Sequence, residues 1–81
     1  MSVIPNPFHD LTQVSIDLMQ SGSVEIQLLD INGKLLQSNH YLLADGLQTL
    51  PVRADNLQAG IYLLKVKKAD ETVTLKVVKS N

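Results

Sequence analysis

The sequence contains no cysteine, which excludes disulfide bonds and thiolate metal sites. Aromatic residues make up only 4% of its 81 residues, so a core must be built from leucine, valine and isoleucine. No apolar run approaches the roughly 18 residues that a membrane-spanning helix needs, so we predict no membrane insertion. The first residues lack the basic and apolar blocks of a secretory signal, and we expect Met1 to be a start residue added to an excised fragment.

Charge is also sparse and unevenly placed. Charged residues make up 19% of the chain and the net charge is −1, while the hydrophobic fraction of 44% suffices for one core in a single domain, 1–81. Residues 65–81 carry five lysines and two acidic residues, whereas residues 1–64 carry six acidic and two basic ones. The basic end is either a recognition surface or a device that keeps the last strands soluble and unpaired. Few aromatics and an acidic balance predict no nucleic-acid binding.

Alternation of apolar and polar residues predicts six strands, and a further strand at Ser2–Ile4 would be the seventh. Five of the six lie at about 12–18, 24–29, 34–42, 61–66 and 72–79, and a short one surrounds Leu50 and Val52. Pro51 cannot donate a ladder hydrogen bond, so that strand lies on an edge or ends early. Strands at this spacing, with turns between them, predict an all-β fold, a small antiparallel immunoglobulin-like β-sandwich.

Leu57, Gly60 and Tyr62 lie at a sharp corner that leads directly into the 61–66 strand. This strand is apolar on both faces apart from Lys65, which favours a central position in a sheet. A leucine, a glycine and then a tyrosine entering a strand resemble the tyrosine corner of immunoglobulin-like sandwiches. We therefore assign Leu57, Gly60 and Tyr62 a structural role, with the Tyr62 hydroxyl requiring a hydrogen-bond partner.

Asp30, Asn32 and Gly33 form the strongest turn signal of the chain, and we predict a hairpin there. The segment lacks the further acidic ligands and the closing glutamate of a calcium loop. His9 and His40 show no regular ligand spacing, and no serine lies in a nucleophile elbow. The sequence therefore predicts a protein that is not an enzyme and has no metal or cofactor.

Four spaced motifs together resemble the type A C-terminal sorting domain of the type IX (Por) secretion system of Bacteroidetes. Their order and spacing cover the chain from Ile4 to Lys79. The motifs are Pro5-Asn-Pro-Phe8, Val24-Glu-Ile-Gln-Leu-Leu-Asp-Ile-Asn-Gly-Lys34, Leu57-Gln-Ala-Gly-Ile-Tyr-Leu-Leu-Lys-Val66 and Lys76-Val-Val-Lys79. Many members have tyrosine where this chain has Ile4, and Pro51 is not typical of the family.

The resemblance implies that the domain is the tail of a larger secreted protein whose Sec signal leads it to the periplasm. Its partners would be an N-terminal cargo domain, the outer-membrane translocon and a sortase-like peptidase, which usually removes the tail at the cell surface. The cargo would reach the cell surface or the medium. The motif residues expected to be structural are Pro5, Asn6, Pro7, Phe8, Asp30, Asn32, Gly33, Leu57, Gly60 and Tyr62.

The basic last hairpin is the candidate surface for translocon recognition. Alternation along the last strand places Lys76 and Lys79 on opposite faces, and we expect Lys79 to project from a frayed terminus. The candidate residues are Lys65, Lys67, Lys68, Lys76 and Lys79. The alternative function is an immunoglobulin-like binding or spacer module of a secreted enzyme. Carbohydrate binding would need exposed aromatics, and Tyr41 is the one aromatic that we expect to be free.

Overall fold

The computed structural model describes residues 1–69 and 71–80, which form seven strands in two antiparallel sheets. The first sheet has the strand order β1-β2-β5 and the second has the order β4-β3-β6-β7. This arrangement confirms the all-β sandwich with the seventh strand. The strands are β1 (Ser2–Ile4), β2 (Leu11–Leu18), β3 (Gly22–Asp30), β4 (Leu35–Leu43), β5 (Gly46–Arg53), β6 (Gly60–Lys68) and β7 (Glu71–Lys79).

The core forms because apolar side chains occupy alternate positions of strands that face each other. In β2, Val14 and Ile16 are fully buried, while Gln13 before them and Asp17 after them are exposed. Phe8 is the aromatic residue among the buried core residues. The buried apolar residues are Phe8, Val14, Ile16, Leu18, Val24, Ile26, Leu28, Leu50, Val52, Ala54, Leu64, Val66 and Val77.

Strand positions agree with the apolar patterns. β6 is paired on both sides, with β3 and with β7, which confirms the central position predicted for residues 61–66. β5 is paired only with β2 and is therefore an edge strand. It does not end early, because Pro51 lies opposite Gln13 and the pairing continues to Arg53. An edge strand tolerates proline because the amide position that faces away from the sheet needs no partner.

The two open sides of the sandwich are linked in different ways. On one side, the Gln37 side-chain amide of β4 donates to the Arg53 carbonyl of β5 at 2.6 Å. On the other side, the segment between β1 and β2 lies against β7, with the Phe8 amide donating to the Val78 carbonyl at 2.9 Å. β1 has three residues and β7 has nine, so β1 matches only part of the length of β7.

The predicted hairpin turn at Asp30 is confirmed. One Asp30 carboxylate oxygen accepts hydrogen bonds from the amides of Asn32 and Lys34, each at 2.9 Å. The Gly33 amide donates to the Asp30 carbonyl at 3.0 Å, and Gly33 has a φ of 89°. Glycine adopts this φ without the steric cost that a Cβ atom would add.

We expect Gly33→Ala to lower the free energy of unfolding by about 1 kcal/mol, because left-handed backbone costs a residue with a Cβ atom about 1–2 kcal/mol. Gly22→Ala is the matched control. A Cβ atom at either glycine would meet no heavy atom within 4 Å, and φ is positive at Gly33 but not at Gly22. The difference in stability between the two variants therefore measures the cost of the left-handed backbone conformation. Thermal unfolding should show a lower Tm for Gly33→Ala than for Gly22→Ala, and equal values would contradict the argument.

Candidate recognition surface

The first and last motifs of the chain are joined side by side at the edge of β7. The Asn6 side-chain oxygen accepts from the Val78 amide at 2.9 Å, and its amide group donates to the Lys76 carbonyl at 3.3 Å. Phe8 continues the contact as a parallel bridge: its amide donates to Val78 and its carbonyl accepts from the Ser80 amide at 2.7 Å. The Pro5–Phe8 segment, here called the edge cap, therefore covers the last part of this edge.

The edge cap is anchored at both of its ends. The Phe8 ring is 1% exposed, which confirms its expected role as an anchor in the core. The buried Thr12 hydroxyl donates to the Pro5 carbonyl at 2.7 Å. The peptide bonds that precede Pro5 and Pro7 are both cis. Thr12 was not singled out by sequence reasoning, although a threonine in the inward register of an apolar strand is the signal that could have identified it.

The tyrosine corner predicted before β6 is present. The Tyr62 hydroxyl donates to the Gln58 carbonyl, four residues upstream, at 2.5 Å. Leu57 and Tyr62 are partly buried against the core, and the Leu57 amide donates to the Ala54 carbonyl at 3.1 Å. Gly60, with a φ of 157°, connects the corner to the strand. These contacts give the third motif a structural role.

The five candidate lysines do not form one patch. Three of them lie on the outer face of the second sheet: Lys65, Lys67 and Lys76. Lys68 and Lys79 follow the inward alternation of β6 and β7 and lie at opposite ends of this hairpin. These ends are eight residue steps apart along an extended strand, which corresponds to about 27 Å.

The expectation that Lys79 projects from a frayed terminus is wrong. Its side chain is 7% exposed, and its ammonium nitrogen lies 3.9 Å from an Asp10 carboxylate oxygen. Lys79 pairs with Gly60 on one side and with Phe8 on the other. The edge cap and the hydrogen bonds of Ser80 hold the end of β7 in place, so the Lys79 side chain is covered. The predicted separation of Lys76 and Lys79 onto opposite faces is confirmed, because Lys76 is exposed.

A family model described as "Secretion system C-terminal sorting domain" matches residues 2–80. The chain belongs to this family. It is a C-terminal secretion signal for type IX secretion, as its four motifs predicted. No curated protein matches the chain.

The binding-module alternative is not favoured for this sorting domain. Tyr41, the aromatic expected to be free for stacking on a sugar ring, is partly buried against the core. Its position in β4, opposite Val24, explains the difference, because Val24 is a core residue and Tyr41 shares its face of the sheet. The expectation of a free Tyr41 is therefore wrong.

A carboxylate cluster on the outer face of the sorting domain was missed by sequence reasoning. Glu25 accepts hydrogen bonds from the Ser38 hydroxyl at 2.9 Å and from the Gln27 amide group at 3.2 Å. Its carboxylate also lies 3.2 Å from the His40 ring nitrogen and 3.8 Å from the Lys67 ammonium. The Ser38 hydrogen bond, supported by the positive charges, lowers the Glu25 pKa below its ordinary value of 4.5, against the opposing effect of desolvation.

We expect the Glu25 cluster to make stability depend on pH in the acid range. Because the folded pKa of Glu25 is lower than its unfolded value, its contribution is present above about pH 4.5 and is lost as pH falls through the folded pKa. Chemical unfolding between about pH 5 and pH 3 should show a steeper loss for the wild type than for Glu25→Gln. Ser38→Ala, which removes the largest cause, should give an intermediate slope. Identical slopes in all three proteins would contradict the assignment.

The two histidines of the sorting domain have separate partners. His9 lies 3.4 Å from the Ser80 hydroxyl, whereas His40 lies beside Glu25. Within residues 1–69 and 71–80, no three side chains of the types that bind metals come together. No helix in that part of the chain is long and apolar enough to cross a bilayer.

Proposed function

We propose that the type IX outer-membrane translocon recognises this sorting domain through the outer face of β6 and β7, with Lys76 at the centre. The supporting observation is the environment of Lys76. Lys67 is paired with Glu25 and Lys68 with Glu71, whereas Lys76 is exposed and has no ion pair among the residues that the structure describes.

The side chains around Lys76 define the complementary surface on the partner. Lys76 lies opposite Leu63, and the neighbouring pair on the same face is Ile61 with Val78. Leu63 in turn lies opposite Leu29 of β3. A partner carboxylate within an apolar surround would match this arrangement, and such a pair gains strength when the contact excludes water. Lys65, one position along the face, would add a second cation to the same contact.

The remaining roles in this proposal are supported by membership of the family. In the parent protein the domain follows an N-terminal cargo domain, and the cargo passes through the periplasm and outer membrane to the cell surface or medium. A sortase-like peptidase of the same system then removes the domain. The domain catalyses no reaction itself and acts as an address for the cargo. Lys68 and Lys79, whose side chains are partly or fully covered, support the fold and do not contact the translocon.

An export assay tests the proposal. Residues 1–81 are fused to the C-terminus of a fluorescent reporter with a Sec signal and expressed in Bacteroidetes hosts with and without a working type IX system. We expect reporter at the surface or in the medium of the intact host alone. Lys76→Ala should reduce export about tenfold, which corresponds to about 1.4 kcal/mol of recognition energy.

Lys34→Ala, at an exposed hairpin position, is the matched charge control and should export like the wild type. Reporter retained in the periplasm of both hosts, with the domain folded, would refute the sorting role. Wild-type export by Lys76→Ala would refute the proposed surface while leaving the sorting role intact.

A further inference from the structure

The first half of β7 has an edge that the edge cap does not reach. Val78 directs both its amide and its carbonyl away from β6, toward Asn6 and Phe8. In an antiparallel pair, residues alternate between bonding their neighbour strand and facing away from it. The β6–β7 register has no irregularity, so Thr72, Thr74 and Lys76 also direct their backbone groups outward.

These outward groups form a row suited to another strand. The Lys76 carbonyl is occupied by Asn6. Among the described residues, the Lys76 amide and both backbone groups of Thr72 and Thr74 have no hydrogen-bond partner in the protein. Such a row of unpaired donors and acceptors is a template for strand addition.

Burial along β7 changes where the edge cap ends. Val77 is 0% exposed and Lys79 is 7% exposed, and both lie in the part that the cap borders. Val73 and Leu75 face inward in the same register, opposite Val66 and Leu64, yet they are only partly buried. The core side of β7 is therefore incompletely covered over the same residues whose backbone edge is open.

Other features distinguish this edge from a protected one. The edge strand β5 carries Pro51, which blocks strand addition by removing a donor. Residues 72–75 of β7 contain neither proline nor a charged residue. Glu71, at the start of the strand, follows the inward alternation and is paired with Lys68. Edge strands commonly carry one of these protections. Here the protections lie at the two ends of β7, beside Asn6 and Phe8 and at Glu71, and leave residues 72–75 open.

We propose that the open edge of β7, over residues 72–75, receives an extended strand of a protein of the secretion apparatus, in continuation of the edge cap. This inference rests on the proposed function and specifies how the domain is bound. The added strand alternates apolar residues, which cover Val73 and Leu75, with acidic or polar residues beside Thr74 and Lys76. Backbone pairing would allow one mode of recognition for domains whose surface side chains differ.

Thr74→Pro tests the inference in the same export assay. Proline removes the outward amide of Thr74 and blocks an added strand, while the bonds of the odd-numbered residues to β6 remain. We expect export to fall about tenfold or more while the Tm stays within about 5 °C of the wild type. Thr74→Val keeps the amide and is the matched control, which should export normally. Thr72→Pro is an independent block of the same edge and should reproduce the loss.

Each outcome decides the matter. Normal export by folded Thr74→Pro and Thr72→Pro, with the wild type exported, would overturn the inference and leave the sorting role standing. Amide hydrogen exchange of the wild type is the independent measurement: slow exchange at Thr72 and Thr74 would show that these amides are not free and would overturn the inference. If the purified wild type is dimeric, the proline variants are monomeric and export is unchanged, the edge binds a second copy of this chain and the inference fails. Absence of wild-type export would refute the proposed function itself.

Discussion

Phe8→Ala is expected to lower the free energy of unfolding by about 3–5 kcal/mol, the range for removing a buried aromatic ring. Phe8 is 1% exposed, and its amide and carbonyl are both hydrogen-bonded, to Val78 and Ser80, so the surrounding chain cannot collapse easily into the space. A domain of this length is expected to have a total stability of about 4–12 kcal/mol. One substitution would thus remove a large part of it.

Thermal and urea unfolding of Phe8→Ala measure this effect, and the Tm should fall by at least about 12 °C. Leu42→Ala is the control, because Leu42 is a large apolar residue that is 89% exposed. Its free energy of unfolding should stay within about 0.5 kcal/mol of the wild type. If the two variants lost similar stability, the edge cap would not be anchored through the Phe8 ring.

Lys79→Ala is expected to cost about 1–3 kcal/mol through loss of packing of its aliphatic stem. The carboxylate beside it belongs to Asp10, which is 70% exposed, so the ion pair itself contributes little. Lys79→Met keeps most of the stem and should lose much less. Asp10→Asn should change stability by less than about 1 kcal/mol.

The exposed Lys76 provides the matched comparison for Lys79. Lys76→Ala should leave stability within about 0.5 kcal/mol of the wild type, so any loss of its export reports recognition and not unfolding. Urea unfolding of Lys76→Ala, Lys79→Ala, Lys79→Met and Asp10→Asn measures the change in stability that each substitution causes. A destabilisation of Lys76→Ala as large as that of Lys79→Ala would contradict the assignment of one lysine to the surface and the other to the fold.

The two ends of the domain depend on each other. Asn6 and Phe8 have their hydrogen-bond partners in residues 76–80, and the last strand has its covered edge in residues 6–8. A change at either end therefore acts on the other. This coupling gives a physical reason why a motif near the start and a motif near the end of the chain occur together in one signal.

Local sequence was sufficient for the elements whose stability is decided over a few residues. The period of two in residues 12–18 identified β2, and the turn at Asp30 and Gly33 identified the β3–β4 hairpin, because side-chain alternation and turn conformation are local properties. The doubly apolar pattern after Gly60 placed β6 inside a sheet, because a strand with neighbours on both sides has little polar surface. The tyrosine corner was predicted on the same basis.

Only the tertiary structure decided what surrounds the lysines and the aromatic residues. Alternation separates Lys76 and Lys79 onto opposite faces of β7, but the covering of Lys79 depends on Phe8 and Asp10, some 70 residues away in the chain. The partial burial of Tyr41 and the Glu25 cluster depend likewise on register between strands. The sequence alone determined the strands, the turns and the family of this sorting domain. Burial and electrostatics depend on contacts between distant residues, which no local pattern specifies.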